Sequence, residues 1–282
     1  MRYHAGLAVA IVAISFTSIL IRLADSPALT IATVRMVLAV LLLLPALLLL
    51  EWRELATITH RELQLCALSG LFLALHFWLW TASLSYTSVA SSLVLVSTHP
   101  VIVAVLAYLL FQERLKRSTL LGILLTFGGT VLIGINDLGV GPRSLHGDLL
   151  AGGGSLAMVG YLLIGKAIRS RRGFLTYSVL VYASCALVLT GAGLGLGVPL
   201  LSFSGKDLLL FLGLAVLTLA GHTVFNWALK QVGASVVAVS FVGEPAGSAF
   251  LAWLILGEPL TLLTAAGGSI MLLGIYVAAR SR

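Results

Sequence analysis

The sequence predicts an all-α integral membrane protein: ten transmembrane helices, arranged as two inverted five-helix repeats (5+5), with N- and C-termini cytoplasmic. Three observations carry this. First, 60% of the residues are hydrophobic and only 10% are charged, with a mean hydropathy of +1.11. A soluble domain carries roughly 25% charged residues, so this chain lacks the polar surface that water requires. Second, the apolar runs are long and continuous, about 20 residues each, the length of a helix that spans a bilayer. A barrel would show short alternating segments instead. Third, the second half of the chain repeats the first.

The expected spans are 4–23, 28–50, 62–85, 88–110, 118–135, 147–166, 174–196, 207–229, 234–256 and 262–279. Short connections leave no room for a soluble domain. Arg2 followed by an apolar stretch from Ala5 has the look of a leader, but no small-x-small site follows and Arg22 closes the run. It is read as the first span. Cys66 and Cys185 both lie in apolar runs and are read as small packing residues, with no CxxC and no disulfide framework.

Basic residues orient the bundle. With the N-terminus inside, the inner loops hold Arg2, Arg53, Arg61, Arg114, Lys116, Arg117, Lys166, Arg169, Arg171, Arg172, Lys230, Arg280 and Arg282. The outer side holds Arg22, Arg143 and Lys206, and Arg35 lies within span 2. Thirteen of the 17 basic residues thus face the cytoplasm, which accounts for the net charge of +7 without a nucleic-acid partner.

At a fixed offset of 145, residues 84–134 align with 229–279 without a gap. Leu84 meets Leu229, Pro100 meets Pro245, Glu113 meets Glu258, Leu115 meets Leu260, Gly122 meets Gly267 and Gly129 meets Gly274. Apolar matches arise by chance; matched Pro, Glu and Gly rarely do. The repeats are 1–137 and 146–282, each with an odd number of spans, so they cross the bilayer in opposite directions. Inverted repeats recur in secondary transporters, with the site near the midplane between the halves.

The residues that repeat also carry a family resemblance. They are "SLSYTSVASSLVLVSTHPVIVAVLAYLLFQERL" with "GILLTFGGTVLIG", and "ALKQVGASVVAVSFVGEPAGSAFLAWLILGEPLT" with "GGSIMLLGIYVAAR". A small/polar stretch, a mid-helix Pro, a terminal Glu-x-Leu and a Gly-spaced last helix occur twice. This resembles the drug/metabolite transporter (DMT) superfamily, in its ten-helix EamA-type branch, over essentially the whole chain, and Arg35 in span 2 also fits. The resemblance implies transport of amino acids, other small metabolites or toxic organic compounds, often outward. It says little about which.

Ionisable groups inside a bilayer cost about 2.5–3.5 kcal/mol on insertion scales and mark function by default. Glu244 lies near the middle of span 9, directly before Pro245; its repeat partner is His99, directly before Pro100. A mid-helix proline frees backbone groups, which is tolerated where they line a cavity. These four residues are therefore expected at a central site. The alternative is a kink with Glu244 locked in a bond to a neighbouring helix. Span 8 carries Thr218, His222, Asn226 and Lys230 at i, i+4 spacing, and span 3 carries Ser69, His76, Trp80 and Ser83 on about one face. His222, Asn226, His76 and Trp80 are candidate substrate contacts, with interhelical packing as the alternative. Trp78 fits a stacking wall and an interface anchor equally. Ser240 and Ser248 share the Glu244 face of span 9, and Tyr161 and Tyr182 are further candidates. Arg35 pairs with a carboxylate, caps a substrate carboxylate or snorkels outward. Glu113 and Glu258 are read as helix-terminal hydrogen-bonding groups. The glycine pairs of spans 5 and 10 are read as close-packing positions.

No cofactor and no metal are expected: the histidines are scattered, and neither HExxH nor GxxxxGK[ST] occurs. The expected protein is an inner-membrane secondary transporter, not an enzyme. It exports an amino acid or small metabolite by alternating access, its two five-helix units rocking around a cavity formed mainly by spans 3, 4, 8 and 9, with help from 1, 2, 6 and 7. His99 and Glu244 are the candidates for proton coupling; uniport fits the same sequence. Its partners are a small-molecule substrate and the lipid bilayer, and a monomer suffices. Efflux of organic cations is the first alternative. An intramembrane serine protease using Ser155 in "GGGSLA" with His222 is a remote second.

Overall fold

A computed structural model describes residues 2–87, 89–112, 116–135, 142–257 and 261–279. Among these no strand occurs, and helices account for nearly all of the chain. Glu113, Leu115, Glu258 and Leu260 lie outside the described residues.

In chain order the helices are α1 (Arg2–Ser15), α2 (Thr17–Leu23), α3 (Ala28–Leu50), the single turn α4 (Trp52–Leu55), α5 (His60–Ser83), α6 (Val89–Val96), α7 (His99–Phe111), α8 (Arg117–Ile135), α9 (Pro142–Arg169), α10 (Phe174–Gly195), α11 (Gly205–Thr218), α12 (Val224–Ala228), α13 (Ala234–Phe241), α14 (Gly243–Leu251) and α15 (Leu262–Ala279). One π-helical turn, Leu219–Thr223, joins α11 to α12; another, Ala252–Leu256, extends α14. Among the described residues, seven stretches are long and apolar enough to cross a membrane. The protein is a multi-pass helical membrane protein.

Local chemistry sets the boundaries. Thr59 caps α5 in a reciprocal capping box with Glu62. The Ser204 side chain accepts from the Asp207 backbone N–H at the start of α11. The chain leaves α7 through Gln112 in the left-handed conformation (φ 54°) and the π turn after α14 through Gly257 (φ 70°). These two positions are 145 apart. So are Ser97, in the break between α6 and α7, and Val242, in the break between α13 and α14. The offset found in the residue types is therefore written in the backbone as well.

The two halves interleave. The most extensive helix pairings run between them: α8 with α15, α5 with α9 and with α10, and α3 with α10. Glycine makes the α8–α15 contact close. A Cβ at Gly129 would sit 2.5 Å from the Gly267 carbonyl oxygen, and one at Gly122 would sit 2.6 Å from that of Gly274. The expected close-packing role of these glycines thus has a direct geometric basis: each offers backbone to the other helix's backbone.

Both ends of the bundle are latched. At the end expected to face the cytoplasm, Arg172 forms a fork with Glu62, Nη2 to Oε2 at 2.6 Å and Nε to Oε1 at 3.0 Å. It also donates to Thr57. The Gly173 N–H donates to Glu54, and the Thr176 N–H and hydroxyl both donate to Glu51, at the start of α10. A helix N-terminus favours such carboxylates. Hydrogen bonding to Glu62 also raises the pKa of Arg172 above the ordinary guanidinium value. At the other end, Asp207 accepts from the Asp25 N–H and the Ser26 hydroxyl, and Thr30 donates to the Pro199 carbonyl.

Candidate functional site

Two helix breaks position the site. After Phe241 the helix stops at Val242 and restarts at Gly243, which places Glu244 and Pro245 in the first turn of α14. His99 and Pro100 likewise open α7 after the break at Ser97 and Thr98. In a first turn the backbone N–H groups have no intrahelical acceptor, so proline costs no hydrogen bond there. A third irregularity holds His222. The π turn Leu219–Thr223 widens the helix at this residue, and Gly221 lets α1 approach so closely that a Cβ there would overlap Ile14. Single π turns are common at functional sites.

These irregularities border one enclosed cavity. Its walls are Ile14, Thr17, Arg35, His76, Phe77 and Trp80 on α1 to α5; Val96, Ser97, His99 and Met158 on α6, α7, α9 and the first break; and Thr218, His222, Phe241 and Glu244 from the second half. The cavity volume is about 20 Å³. That holds one water, whereas small-molecule sites run to roughly 300–1,000 Å³. The cavity is therefore too small for a metabolite as it stands.

Six of the ten candidate site residues meet here: Arg35, His76, Trp80, His99, His222 and Glu244. His76 Nδ1 pairs with the Gly154 carbonyl at 3.0 Å, so that nitrogen carries the proton, and its ring stacks on Trp80 at 6.0 Å. His99 Nδ1 donates to the Val96 carbonyl at 2.8 Å, which the helix break leaves free. His222 is ringed by aromatics, with Phe77 at 5.0 Å, Phe241 at 5.2 Å and His76 at 6.4 Å between centroids. Glu244 Oε1 accepts from the Thr17 hydroxyl at 3.1 Å. The Arg35 guanidinium lies 3.8 Å from the Phe77 ring centroid, a cation–π contact. Four polar groups on the cavity wall have atoms with no hydrogen-bond partner: Arg35 Nε and Nη2, Trp80 Nε1, His99 Nε2 and His222 Nδ1. Buried polar groups are nearly always paired, so such a concentration on one wall is unusual.

The other four candidates lie outside this wall. The Tyr161 hydroxyl donates to Asn226 Oδ1 at 2.6 Å, and Asn226 Nδ2 donates to Ser178. The Asn226 carbonyl accepts from Arg169 Nε. Tyr182 pairs with Thr223, and Ser240 donates to the Val236 carbonyl of its own helix. These groups are satisfied by protein. Ser248 ties α14 to the first span through Ser18 and the Ser15 carbonyl. Trp78 does not reach the cavity.

Sequence reasoning passed over Thr17, Phe77, Met158 and Phe241. Thr17 had a signal: "SFTS", residues 15–18, interrupts an apolar run with three hydroxyls. It also marks the break between α1 and α2 at Phe16. Phe77, Met158 and Phe241 had none, because an apolar residue facing a cavity reads like one facing lipid.

A multi-pass helical bundle closed around a buried polar chamber, with helices broken at its wall, has the build of a membrane transporter. Comparison with known proteins agrees. The chain matches the EamA-like transporter family over residues 4–135 and again over 145–280. An uncharacterized transporter of Archaeoglobus fulgidus is 30% identical over 206 residues, covering 70% of each chain. The uncharacterized transporter YwfM of Bacillus subtilis is 26% identical over 212 residues, covering 74% of this chain and 71% of its own. A solved crystal structure superposes with a TM-score of 0.79 over 98% of this chain and 96% of its own, at 17% identity, a likeness of fold alone. The chain belongs to the EamA-like transporter family, within the drug/metabolite transporter superfamily, and is a transporter of small molecules rather than an enzyme. The Ser155 hydroxyl pairs with that of Thr98 at 2.9 Å.

Proposed function

We propose that this protein is an inner-membrane secondary transporter of ten spans, in two inverted repeats at 1–137 and 146–282, with both termini cytoplasmic. It moves a small amino acid or related metabolite outward by alternating access. The observation that carries this reading is a closed cavity whose wall includes His99 and Glu244, the residues that precede Pro100 and Pro245 at the two helix breaks. The 145-residue offset between Gln112 and Gly257, and between the breaks themselves, supports the repeat. The thirteen-to-three division of basic residues supports the orientation.

The latches at both ends fit an occluded intermediate. Because the halves interleave, the bodies that move are mixed sets of helices drawn from both repeats, a revision of the rocking of one repeat against the other. His99 and Glu244 are the titratable groups at the breaks and the candidates for proton coupling. One chain contains both halves of the cavity, so a monomer is sufficient.

Glu244 and Trp80 on one wall also favour a second reading, efflux of organic cations with Glu244 as counter-ion. Flux in proteoliposomes separates the two. A panel of amino acids and organic cations is assayed at two pH values with wild type and Glu244→Gln. Amino-acid flux that is lost or made pH-independent in Glu244→Gln supports the first reading, flux of hydrophobic cations the second. Movement of no solute overturns both.

A further inference from the structure

We propose that the ligand of this cavity carries a carboxylate, and that the carboxylate docks edge-on against Nε and Nη2 of Arg35. The inference rests on the cavity being the transport site and assigns the chemistry it selects.

Arg35 is 1% exposed and stands among the largest fully buried side chains. A guanidinium has five donors and no acceptor. Burying a guanidinium whose donors are unmet is costly, so a chain that keeps one has a reason for it. The Phe77 ring covers one flat face at 3.8 Å. What remains is the edge, and there Nε and Nη2 both lack a partner. These two N–H groups point the same way and form the fork that matches the two oxygens of a carboxylate. Trp80 Nε1, a donor with no acceptor role, is also unpartnered on the cavity wall, and the guanidinium carbon lies 6.0 Å from the Trp80 ring centroid.

The one carboxylate on the cavity wall does not answer this need. Glu244 accepts from Thr17 and is near enough to attract Arg35 electrostatically, but among the described residues it neither bonds Nε or Nη2 of Arg35 nor forms a close ion pair with it. Three unpartnered N–H donors on Arg35 and Trp80 therefore call for an acceptor that the protein does not supply. An organic cation would bring like charge to Arg35 and leave all three unmet. A carboxylate meets them with two oxygens in one plane. Glu244 is then left to face an ammonium group, so a zwitterion would use both ends of the site.

The test needs no variant at first. Purified wild-type protein is titrated with compounds that differ only at one group: amino acids of several side-chain classes, their carboxamides, their decarboxylated amines and their phosphonate analogues. Binding is read by tryptophan fluorescence and by melting temperature. The carboxylate member of at least one set is expected to bind at least about tenfold tighter than its amide and amine, since a charge-assisted pair is lost without it. Arg35→Lys, shown to be folded by its melting curve, is expected to lose most of that preference because a single ammonium cannot offer the fork. Equal binding of amide and acid, preference for the phosphonate, or no binding of any carboxylate at millimolar concentration would overturn the proposal. Proteoliposome flux keeps this apart from the transport reading. Solutes that move with no preference for a carboxylate sink only the Arg35 assignment. Carboxylates that bind selectively but never move sink only the transport reading.

Discussion

The hydroxyl of Thr17 lies between two oxygens, the Ile14 carbonyl at 2.5 Å and Glu244 Oε1 at 3.1 Å. It has one proton and two neighbours that accept. A protonated Glu244 resolves the conflict by donating to Thr17 while Thr17 donates to Ile14. An ionised one makes the two acceptors compete for one hydrogen. Through this hydroxyl the break between α1 and α2 touches the carboxylate at the break between α13 and α14.

Thr17→Val keeps the shape of the side chain and removes the hydroxyl. Leaving a buried acceptor unsatisfied costs about 1–3 kcal/mol. The cost should be coupled to Glu244. In a double-mutant cycle of Thr17→Val with Glu244→Leu, measured by thermal unfolding in detergent, the coupling should be about 0.5–3 kcal/mol. Strict additivity would mean that the contact carries no energy and that the two breaks are independent.

Neighbouring glycines give an internally controlled test of the α8–α15 contact. A Cβ at Gly129 would meet the Gly267 carbonyl at 2.5 Å and the Met271 backbone nitrogen at 2.9 Å, while one at Gly128 meets nothing within 4 Å. Gly129→Ala should therefore destabilise by about 1–3 kcal/mol through overpacking. Gly128→Ala should be neutral or stabilising by up to about 1 kcal/mol, because alanine orders more readily in a helix. Melting temperatures of the two variants check the contrast; similar values would mean that α8 and α15 are not in backbone contact.

The helix positions, the breaks and the close-packing glycines were legible in the sequence, since each depends on a local property. Apolar length fixes a span, Pro100 and Pro245 fix a break, and Gly122 and Gly129 fix a close approach. The cavity was half legible. Titratable residues stand out in apolar sequence, so Arg35, His76, His99, His222 and Glu244 could be picked without a structure. What could not be read was which polar groups satisfy one another. Asn226 and His222 sit one turn apart on the same stripe, yet Asn226 is fully bonded by Tyr161 and Ser178 whereas His222 Nδ1 is free. That difference is made by α9 and α10, far away in sequence. The latch of Arg172 on Glu62 was hidden for the same reason, being a pairing between the first turn of α5 and the α9–α10 connection, 110 residues apart.

The latch predicts a change in conformational balance more than in stability. Partly exposed ion pairs contribute about 0.2–1 kcal/mol, and the side chains of Arg172 and Glu62 are each 15% exposed. Cys66, one turn further along α5 than Glu62, is a buried free thiol and reports on this end of the bundle. In a Cys185→Ala background, Arg172→Ala should speed maleimide labelling of Cys66 by about two- to fivefold. The swapped pair Glu62→Arg with Arg172→Glu should restore slow labelling. Unchanged labelling in Arg172→Ala would mean that this end does not open through the latch.

The division between satisfied and unsatisfied polar groups predicts two kinds of variant. Tyr161→Phe removes the donor to Asn226 Oδ1, at 2.6 Å the shortest bond in its network. It should lower stability by about 1–2 kcal/mol, with little effect on the substrate concentration that half-saturates flux, because neither group lines the cavity. Trp80→Phe removes an indole N–H that bonds nothing in this closed state, so no hydrogen bond is lost from the folded protein. Its stability should fall only through the packing lost with the smaller ring, while half-saturation should shift upward by about tenfold if that N–H meets substrate. Flux titrations and melting curves on both variants, reconstituted alike, decide the matter. Were Tyr161→Phe to weaken half-saturation and Trp80→Phe to leave it untouched, the substrate would lie against the Asn226 network, and the cavity walled by Arg35 and Glu244 would be a structural void.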